Sequence, residues 1–501
     1  MPNLVGWGAG CGALAMLSIP LAAQQRDTTA KDSAATLRRL APITIVATPA
    51  SRQSPAGSLH LDAAALRVVP ATSTFDLLRQ TSGVEVHEQG QGPGFTSNAS
   101  LRGFSSDHST DLALWIDGVP INEPVNGHAE GYNDFAVLYP AAVSDVDVIR
   151  GPTSALFGNF ALAGVVNVRT LERLRGTDVQ LSTGSNGRGE VNLMTGFDHG
   201  SRGGGIVGVR YEHEDGFRPN SRFDVGQGHA RVVHDINQSV RVDGGVELYS
   251  TRWHSPGFLG EEDFANGNYD VVSNPSDGGF KRRAQERLSV RVLHRDLLWR
   301  TTAYATQGRW QLYLTIPPAG GRFEGSGSQT EEEDRRHGYG ITSALTWERA
   351  SRSITVGLDG RWDHAAFENW YTTSRSRDSV AEVVSATQRS GALFAIGHID
   401  VTTRWQAEMG VRLDDLSTRA EPDAEAATSH AHAIASPKLG SMVRLTPTLS
   451  AYANVSGGFR STDGVISDPT LAPITAWAYE AGIKVDRHQS QLTVAAFRMG
   501  V

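Results

Sequence analysis

The sequence predicts a membrane-spanning antiparallel β-barrel that follows a small α+β domain. From Gly176 onward, apolar and charged residues alternate with a period of two. The candidate strands run over about 10 to 15 residues, longer than the 5 or 6 usual in soluble sheets. Their connectors alternate between short and long, as a spanning meander requires. An apolar N-terminal segment marks the chain for export.

Residues 1–23 have the pattern of a signal peptide. Gly6 to Ala22 is apolar, and Leu21-Ala22-Ala23 before Gln24 matches a signal-peptidase site, although no Lys or Arg precedes the apolar run. A retained anchor and lipidation at Cys11 are the alternatives. Cys11 is the only cysteine, so the cleaved chain has neither a disulfide nor a thiolate metal site.

Composition excludes several classes of protein. Beyond the N-terminus there is no apolar run of the roughly 18 residues that a membrane-spanning helix needs. The formal net charge is -8, so the chain lacks the basic balance typical of nucleic-acid-binding proteins. We therefore expect no nucleic-acid partner.

The segment after the signal peptide is polar and then β-branched. Residues 24–40 have no core-forming pattern, which predicts a disordered tether. Within residues 41–50, a run that favours extended structure lies between Pro42 and Pro49: Ile43, Thr44, Ile45, Val46, Ala47 and Thr48. Such a run can add itself to the sheet edge of a partner protein, or it can be the first strand of the next domain. The residues alone leave both open.

Residues 51–172 alternate short apolar runs with Gly and Pro, which predicts a small domain of strands, tight turns and short helices. We expect helices at Leu61–Leu66, around Phe75–Leu78 and at Ser154–Phe157. We expect strands at Val84–Val86, Leu112–Ile116, Val143–Ile149 and Val165–Val168, with a turn at Asp117-Gly118.

Residues 173–501 contain about fifteen strand candidates with one apolar and one charged face. In a soluble sandwich the apolar face would form the core; in a barrel it meets lipid and the charged face lines the lumen. Strand length, the export signal and the connectors favour the barrel. Short connectors lie at Asp235–Asn237 and Ala350–Arg352, and long ones are expected at Trp253–Phe280, Ile316–Asp334 and Phe367–Arg389.

Ordered blocks in the first 172 residues carry a family resemblance. They are Asp76-Leu77-Leu78 to Ser82-Gly83-Val84, Leu101-Arg102-Gly103, Asp117-Gly118-Val119-Pro120, Val148 to Pro152, Leu156-Phe157-Gly158 and Gly164-Val165-Val166-Asn167. Ser436 to Gly440, Gly458-Phe459-Arg460 and Tyr479 to Lys484 add later signatures. In order and spacing the chain resembles the TonB-dependent outer-membrane receptors.

The resemblance implies a plug domain inside the lumen of a transmembrane β-barrel in the outer membrane of a Gram-negative-type bacterium. Barrels of this kind close at 22 strands, so the sequence is expected to be a C-terminally truncated part of a longer protein. Residues Ile43 to Thr48 fall at the position of the TonB box, which binds the periplasmic energy-coupling protein TonB. The box lacks the usual preceding acidic residue.

The resemblance also implies a function: energised uptake of a scarce ligand. An iron-siderophore or another metal chelate is the family default, with cobalamin and glycans open. Arg102 and Arg150 match plug arginines that face barrel carboxylates, although they could simply solvate turns.

Candidate ligand-binding residues come from the plug apices and the loops. The apex positions are Asp107, His108, Asn122, Glu123, Asn126, His128 and Tyr132, and the loop positions are Trp253 and Phe258. Histidine beside carboxylates suits a metal or a metal chelate, but solvated polar loop groups are the simpler interpretation. The aromatic residues suit ligand stacking or a girdle at the membrane interface equally well.

Two other functions compete with energised uptake. A non-energised porin or surface-binding protein would share the barrel but not the dependence on the TonB box, and a soluble secreted β-sandwich would not need detergent. No nucleophile elbow, phosphate loop or paired metal-ligand motif is present, so we expect neither enzyme activity nor a resident cofactor.

Overall fold

The computed structural model describes residues 54–66, 74–88, 90–95, 98–104, 106–272, 274–315, 329–462, 464, 471–487 and 490–501. The predicted signal peptide, tether and TonB box all lie outside these residues. So does most of the predicted long connector at Ile316–Asp334.

The plug domain forms from the chain up to Thr170. Its strands are β1 (Ser58–Leu61), β2 (Val84–His87), β3 (Asn98–Leu101), β4 (Leu112–Ile116), β5 (Val119–Pro120), β6 (Val143–Arg150) and β7 (Gly164–Thr170). Its helices are α1 (Ala63–Leu66) and α2 (Thr74–Arg79), joined by 3-10 turns at Asp107–Ser109, Phe135–Val137 and Pro140–Ala142. The predicted α+β class is confirmed.

Five of these strands form one sheet in the order β1-β6-β7-β4-β5, and β2 pairs with β3 separately. Among the paired strands that the structure describes, only β4 and β7 run parallel. Val148 and Val166 face each other across β6 and β7 and are fully buried, which explains the apolar runs of these strands. Asp117 and Gly118 have φ angles of 50° and 86°, as a tight turn between β4 and β5 requires.

The predicted helix at Ser154–Phe157 is wrong. These residues form an irregular turn in which the Ser154 hydroxyl accepts a hydrogen bond from the Leu156 amide at 3.3 Å. Four residues directly after Pro152 supply too few backbone hydrogen bonds to offset the cost of starting a helix.

The remaining strands form one antiparallel sheet, which we call the wall. They are β8 (Thr177–Thr183), β9 (Gly189–His199), β10 (Gly203–Glu214), β11 (Phe223–Asp235), β12 (Val240–His254), β13 (Gly278–His294), β14 (Leu297–Thr315), β15 (Gln329–Arg349), β16 (Arg352–Thr373), β17 (Ser376–Asp400), β18 (Trp405–Pro422), β19 (Thr428–Arg444), β20 (Leu449–Arg460), β21 (Ile474–Arg487) and β22 (Ser490–Gly500). Within the described residues each strand pairs with its sequence neighbours, from β8 at one edge to β22 at the other. The predicted meander of about fifteen strands is confirmed.

The two faces of the wall have opposite chemistry. Leu358, Leu393 and Leu413 are 45%, 62% and 52% exposed, whereas Arg412 and Glu480 are each 6% exposed. A soluble sandwich would bury the leucines and expose the charges. The observed orientation is that of a wall whose outer face meets lipid. No helix among the described residues is long and apolar enough to cross a bilayer.

The connectors agree with prediction at two places and differ at one. Two residues join β15 to β16, and residues 255–277 join β12 to β13 and include the helix α3 (Glu261–Ala265). The predicted long connector at Phe367–Arg389 is wrong, because β16 and β17 continue to a turn at Ser374 and Arg375. Apolar cross-strand pairs such as Phe367 with Val384 extend the ladder there.

Candidate ligand-binding site and plug interface

The wall wraps around the plug domain, because strands near both of its edges contact it. In β9, Asn192 accepts a hydrogen bond from the Tyr139 hydroxyl of the plug. In β22, the Phe497 ring lies 4.5 Å from the guanidinium of Arg102. The inward, charged face of the wall therefore surrounds the plug.

Plug carboxylates and wall cations form most of the ion pairs described between the two domains. The pairs are Asp111–Arg460 (2.8 Å), Asp117–Arg287 (3.2 Å), Asp117–Arg231 (3.5 Å), Glu123–Arg336 (2.6 Å) and Asp134–Lys281 (2.7 Å). The expectation was the reverse, plug cations facing wall carboxylates. Of the two predicted arginines, only Arg102 has this arrangement, 2.7 Å from Glu480 of β21.

Arg150 does not pair with a wall carboxylate among the described residues. Its guanidinium donates to the carbonyls of Gly57 (3.1 Å) and Ser82 (2.7 Å) and to the Ser82 hydroxyl (2.8 Å). Burial lowers its pKa, and the nearby Arg102 charge lowers it further. Arg150 thus holds plug segments together, which corrects the expected contact.

Asp117 is the most strongly clamped carboxylate of the plug. The amide and hydroxyl of Thr170 donate to its two oxygens at 3.0 Å and 2.5 Å. Burial alone would raise the pKa of Asp117, but the charges of Arg231 and Arg287 and the Thr170 hydrogen bonds hold it below its usual range. Arg231 also donates to the Thr170 carbonyl at 2.5 Å. The clamp ties the β4–β5 turn and the end of β7 to the wall.

An aromatic cluster, defined as Phe95, His108, His128, Tyr132 and Trp310, lies at the predicted plug apex. The His108 and His128 rings meet edge to face with centroids 4.6 Å apart, and Tyr132 stacks on His108 at 5.4 Å. Trp310 of β14 contacts His128 at 5.4 Å. Aromatic faces of this kind stack on flat organic ligands.

Charged groups surround the aromatic cluster. His128 Nδ1 lies 2.8 Å from Glu332 Oε2, and Lys281 Nζ is 4.7 Å from the Tyr132 ring centre. Burial alone would raise the pKa of Glu123, but Arg336 and neighbouring cations lower it, so Glu123 stays ionised. A narrow recess, partly open to solvent, lies between Glu123, Tyr132 and the wall.

The predicted apex residues have different environments. Glu123, Asn126, His128 and Tyr132 lie around the recess or the aromatic cluster, and Asn126 donates to Glu123 at 2.7 Å. Asn122 is buried, and its amide bonds to the backbone of Leu112, Leu114 and Gly131. These hydrogen bonds hold the backbone of the apex loop in place, so Asn122 has a structural role there.

His108 and Asp107 belong to the strained 3-10 turn beside the cluster. His108 is 3% exposed and has a φ of 54°, which is uncommon for a residue with a side chain. Ligand binding by these residues stays a prediction.

The two residues predicted in loops, Trp253 and Phe258, have different environments. Trp253 was expected in a loop, but it lies in β12, is 2% exposed and packs against plug residues Gly92 and Gly94. Phe258 does lie in the loop after β12 and is 46% exposed. Trp253 therefore supports the plug, while ligand contact by Phe258 stays a prediction.

Sequence reasoning missed the wall side of the site. Trp310, Lys281, Glu332 and Arg336 approach the apex from β13, β14 and β15. The period-two pattern predicts which side chains of each strand point inward, but no local signal says which plug residue each one meets.

A group of side chains that could act as metal ligands lies elsewhere in the plug. His60, Asp145 and Asp147 bring candidate ligand atoms within 4.8 Å of one another. Arg169 binds both carboxylates, and His60 Nδ1 is 2.7 Å from Asp147. The arginine already compensates these charges, so the group is an ion-pair network of the plug sheet.

Models of two protein domains match this chain. The TonB-dependent receptor plug domain matches residues 44–165, and the TonB-dependent receptor-like β-barrel matches residues 213–499. The vitamin B12 transporter BtuB of Vibrio vulnificus (strain CMCP6) is 30% identical over 226 residues, which are 44% of this chain and 35% of that protein. The chain thus spans about a third of this relative's length.

Solved structures share the fold at low identity. The ferric citrate transporter FecA in its unliganded form has a TM-score of 0.76 and 16% identity, over 89% of this chain and 70% of FecA. The ferric yersiniabactin uptake receptor FyuA from Yersinia pestis has a TM-score of 0.73 and 18% identity, over 90% and 73%. The copper transporter OprC has a TM-score of 0.72 and 15% identity, over 89% and 73%.

Proposed function

The chain belongs to the TonB-dependent receptor family, and from this premise we propose that it is part of an outer-membrane receptor for energised uptake of a metal chelate. The observation that carries the proposal is the plug enclosed by the charged face of a wall whose outer face is apolar. A plug of this kind must move before any ligand passes, and that movement needs an energy source.

The ligand class follows from the apex and from the relatives. The solved relatives include a ferric citrate transporter, a ferric yersiniabactin receptor and a copper transporter. In this chain the recess beside Glu123 offers charges of both signs, and two largely buried rings of the aromatic cluster, Tyr132 and Trp310, form part of its lining. Such a surface suits an organic chelate better than a bare ion. The ligand itself stays unidentified.

The predicted partner is TonB, and the predicted contact is Ile43 to Thr48. In the complete natural chain, deleting these six residues should abolish energised uptake and leave ligand binding at the cell surface unchanged. The coupling acts through an added strand, whereas the binding surface is elsewhere. Ferric citrate and cyanocobalamin serve as labelled probes, measured with and without an uncoupler of the proton-motive force.

Deleting residues 28–33 of the predicted tether is the matched control, because it shortens the chain equally without touching the box. Uptake that survives the loss of Ile43 to Thr48 would argue for a non-energised porin. The plug speaks against that alternative, since its side chains fill the inner side of the wall from β9 to β22.

A further inference from the structure

Strand β13 has an inward face that carries basic and uncharged side chains only. Lys281, Gln285 and Arg287 are buried, and they alternate with the exposed Arg282, Glu286 and Leu288. Every second side chain of β13 from residue 281 to residue 291 points inward: Lys281, Arg283, Gln285, Arg287, Ser289 and Arg291. We call the four cations among them the basic face of β13.

Two other strands of the wall, β16 and β18, neutralise inward charges within the strand. In β16, Arg361 pairs with Asp363 two residues later at 2.6 Å. In β18, Arg412 pairs with Asp414 at 2.9 Å. No inward carboxylate of β13 itself plays this role, so the basic face depends on counter-charges from outside its strand.

The plug supplies two of these counter-charges. Lys281 binds Asp134 at 2.7 Å, and Arg287 binds Asp117 at 3.2 Å together with Asp243 of β12 at 3.0 Å. Arg283 lines the recess that also contains Glu123. A plug that moves takes Asp117 and Asp134 with it, and the cations then face an open path.

At the end of the basic face near the short turn after β13, the carboxylates nearest in effect to Arg291 are Glu172 and Asp243, and both are already ion-paired, with Arg241 and Arg287. Arg291 Nε and Nη1 are shielded from solvent and have no hydrogen-bond partner among the described residues. Arg291 lies directly opposite Arg241 of β12 and Arg300 of β14. Like charges opposite each other destabilise a sheet, and buried unsatisfied donors add to the cost. Asp235 and Glu172 already offset the charge of Arg241, so an anion bound here would chiefly satisfy the free donors of Arg291.

We propose that the basic face of β13 guides an oxyanion-bearing ligand from the plug apex to the periplasmic side, and that plug carboxylates screen it until the plug moves. The inference rests on the proposed uptake function and deepens it, because it names an anionic chelate as the ligand class. Ten residue steps from Lys281 to Arg291 span about 34 Å, comparable with a hydrocarbon core of about 30 Å. Guanidinium groups bind carboxylate and phosphate oxygens in pairs.

The test uses the complete natural chain in energised cells, with labelled ferric citrate as the anionic probe and cyanocobalamin as the neutral one. Arg291→Gln should lower the initial uptake rate of ferric citrate about tenfold, because one charge-assisted contact along the path is lost. Surface binding of ferric citrate should not change, since Arg291 lies far from the apex. Arg291→Lys should retain most of the rate.

Arg252→Gln is the matched control, because Arg252 is an exposed, outward residue of the neighbouring strand β12. Immunoblots of outer-membrane fractions check that every variant is assembled. Energised uptake of ferric citrate at an equal rate in Arg291→Gln and the unchanged protein would overturn the anion path and leave the transporter standing. Absence of energised uptake for both probes would instead overturn the proposed function.

Discussion

At the scale of single residues, two plug aspartates that pair with wall arginines have net pKa shifts in opposite directions. Asp117 meets two wall arginines and two hydrogen bonds from Thr170, and its pKa falls although burial opposes this. Asp111 has one described ion pair, with Arg460, and burial raises its pKa beyond what that arginine offsets. The number of arginines and hydrogen-bond donors around a buried plug carboxylate decides whether it stays ionised and binds the plug to the wall.

Asp117→Asn should therefore loosen the plug by about 3 to 5 kcal/mol, the usual cost of breaking a buried ion pair. The measurement is the urea concentration at which trypsin first cleaves the plug domain in detergent-solubilised protein. Asp111→Asn is the matched comparison and should cost less. Equal losses in both variants would show that the second arginine adds nothing.

The stabilisation of the plug by Asp117 should depend on pH. The native pKa of Asp117 lies below its unfolded value, so its stabilisation is complete above about pH 4 and is lost as the pH falls through the native pKa. The difference in urea midpoint between the unchanged protein and Asp117→Asn should be large at pH 7 and shrink below about pH 4, where pepsin replaces trypsin as the protease. A difference that stays constant across this range would contradict the ionic origin of the clamp.

At the scale of elements, the plug segment Gly92–Phe95 shows how wall aromatics support the plug. Tyr249 donates to the Pro93 carbonyl at 2.9 Å and Trp310 to the Gly94 carbonyl at 3.0 Å, while the Trp253 ring covers the glycines. Glycine is required because a Cβ at residue 94 would lie 1.9 Å from the Trp253 ring.

Gly94→Ala should displace Trp253 and destabilise the plug by about 1 to 3 kcal/mol, the range for overpacking a close contact. Gly391→Ala is the control, because a Cβ at that position of β17 meets nothing within 4 Å. Urea-dependent protease protection of the plug measures both. A loss in Gly391→Ala as large as in Gly94→Ala would mean that chain stiffness, and not the Trp253 contact, is responsible.

At the scale of the whole molecule, the apolar outer face defines where lipid meets the wall. Leu393 and Val380 both lie in β17 and are 62% and 53% exposed. Counted from Asp400 at the short-turn end, Leu393 lies about 24 Å and Val380 about 68 Å along the strand. Only Leu393 falls within a hydrocarbon core of about 30 Å once the strand is tilted.

Leu393→Arg should cost about 2 to 4 kcal/mol in a bilayer, and Val380→Arg should cost about 1 kcal/mol or less. Unfolding midpoints of the two variants in lipid vesicles give the comparison. In detergent micelles the difference should shrink, since a micelle adapts to the charge. Equal costs in vesicles would place the bilayer elsewhere on the wall.

The sequence alone determined the α+β plug, the meander of fifteen strands and the inward side of each strand, because period-two alternation and glycine turns are local properties. The family resemblance, and not local pattern, indicated Glu123, His128 and Tyr132. Local pattern also has limits. It failed at Phe367–Arg389, where cross-strand pairing overrides the loop-like composition.

Only the tertiary structure decided which charges meet. Arg150 and Glu123 are both charged residues next to turns, yet one binds plug carbonyls and the other a wall arginine. Trp253 became a plug support, and the row of cations on β13 acquired counter-charges from Asp117 and Asp134. These contacts join residues between about 70 and more than 200 positions apart. Their energies depend on how the wall closes around the plug, which no local stretch of sequence specifies.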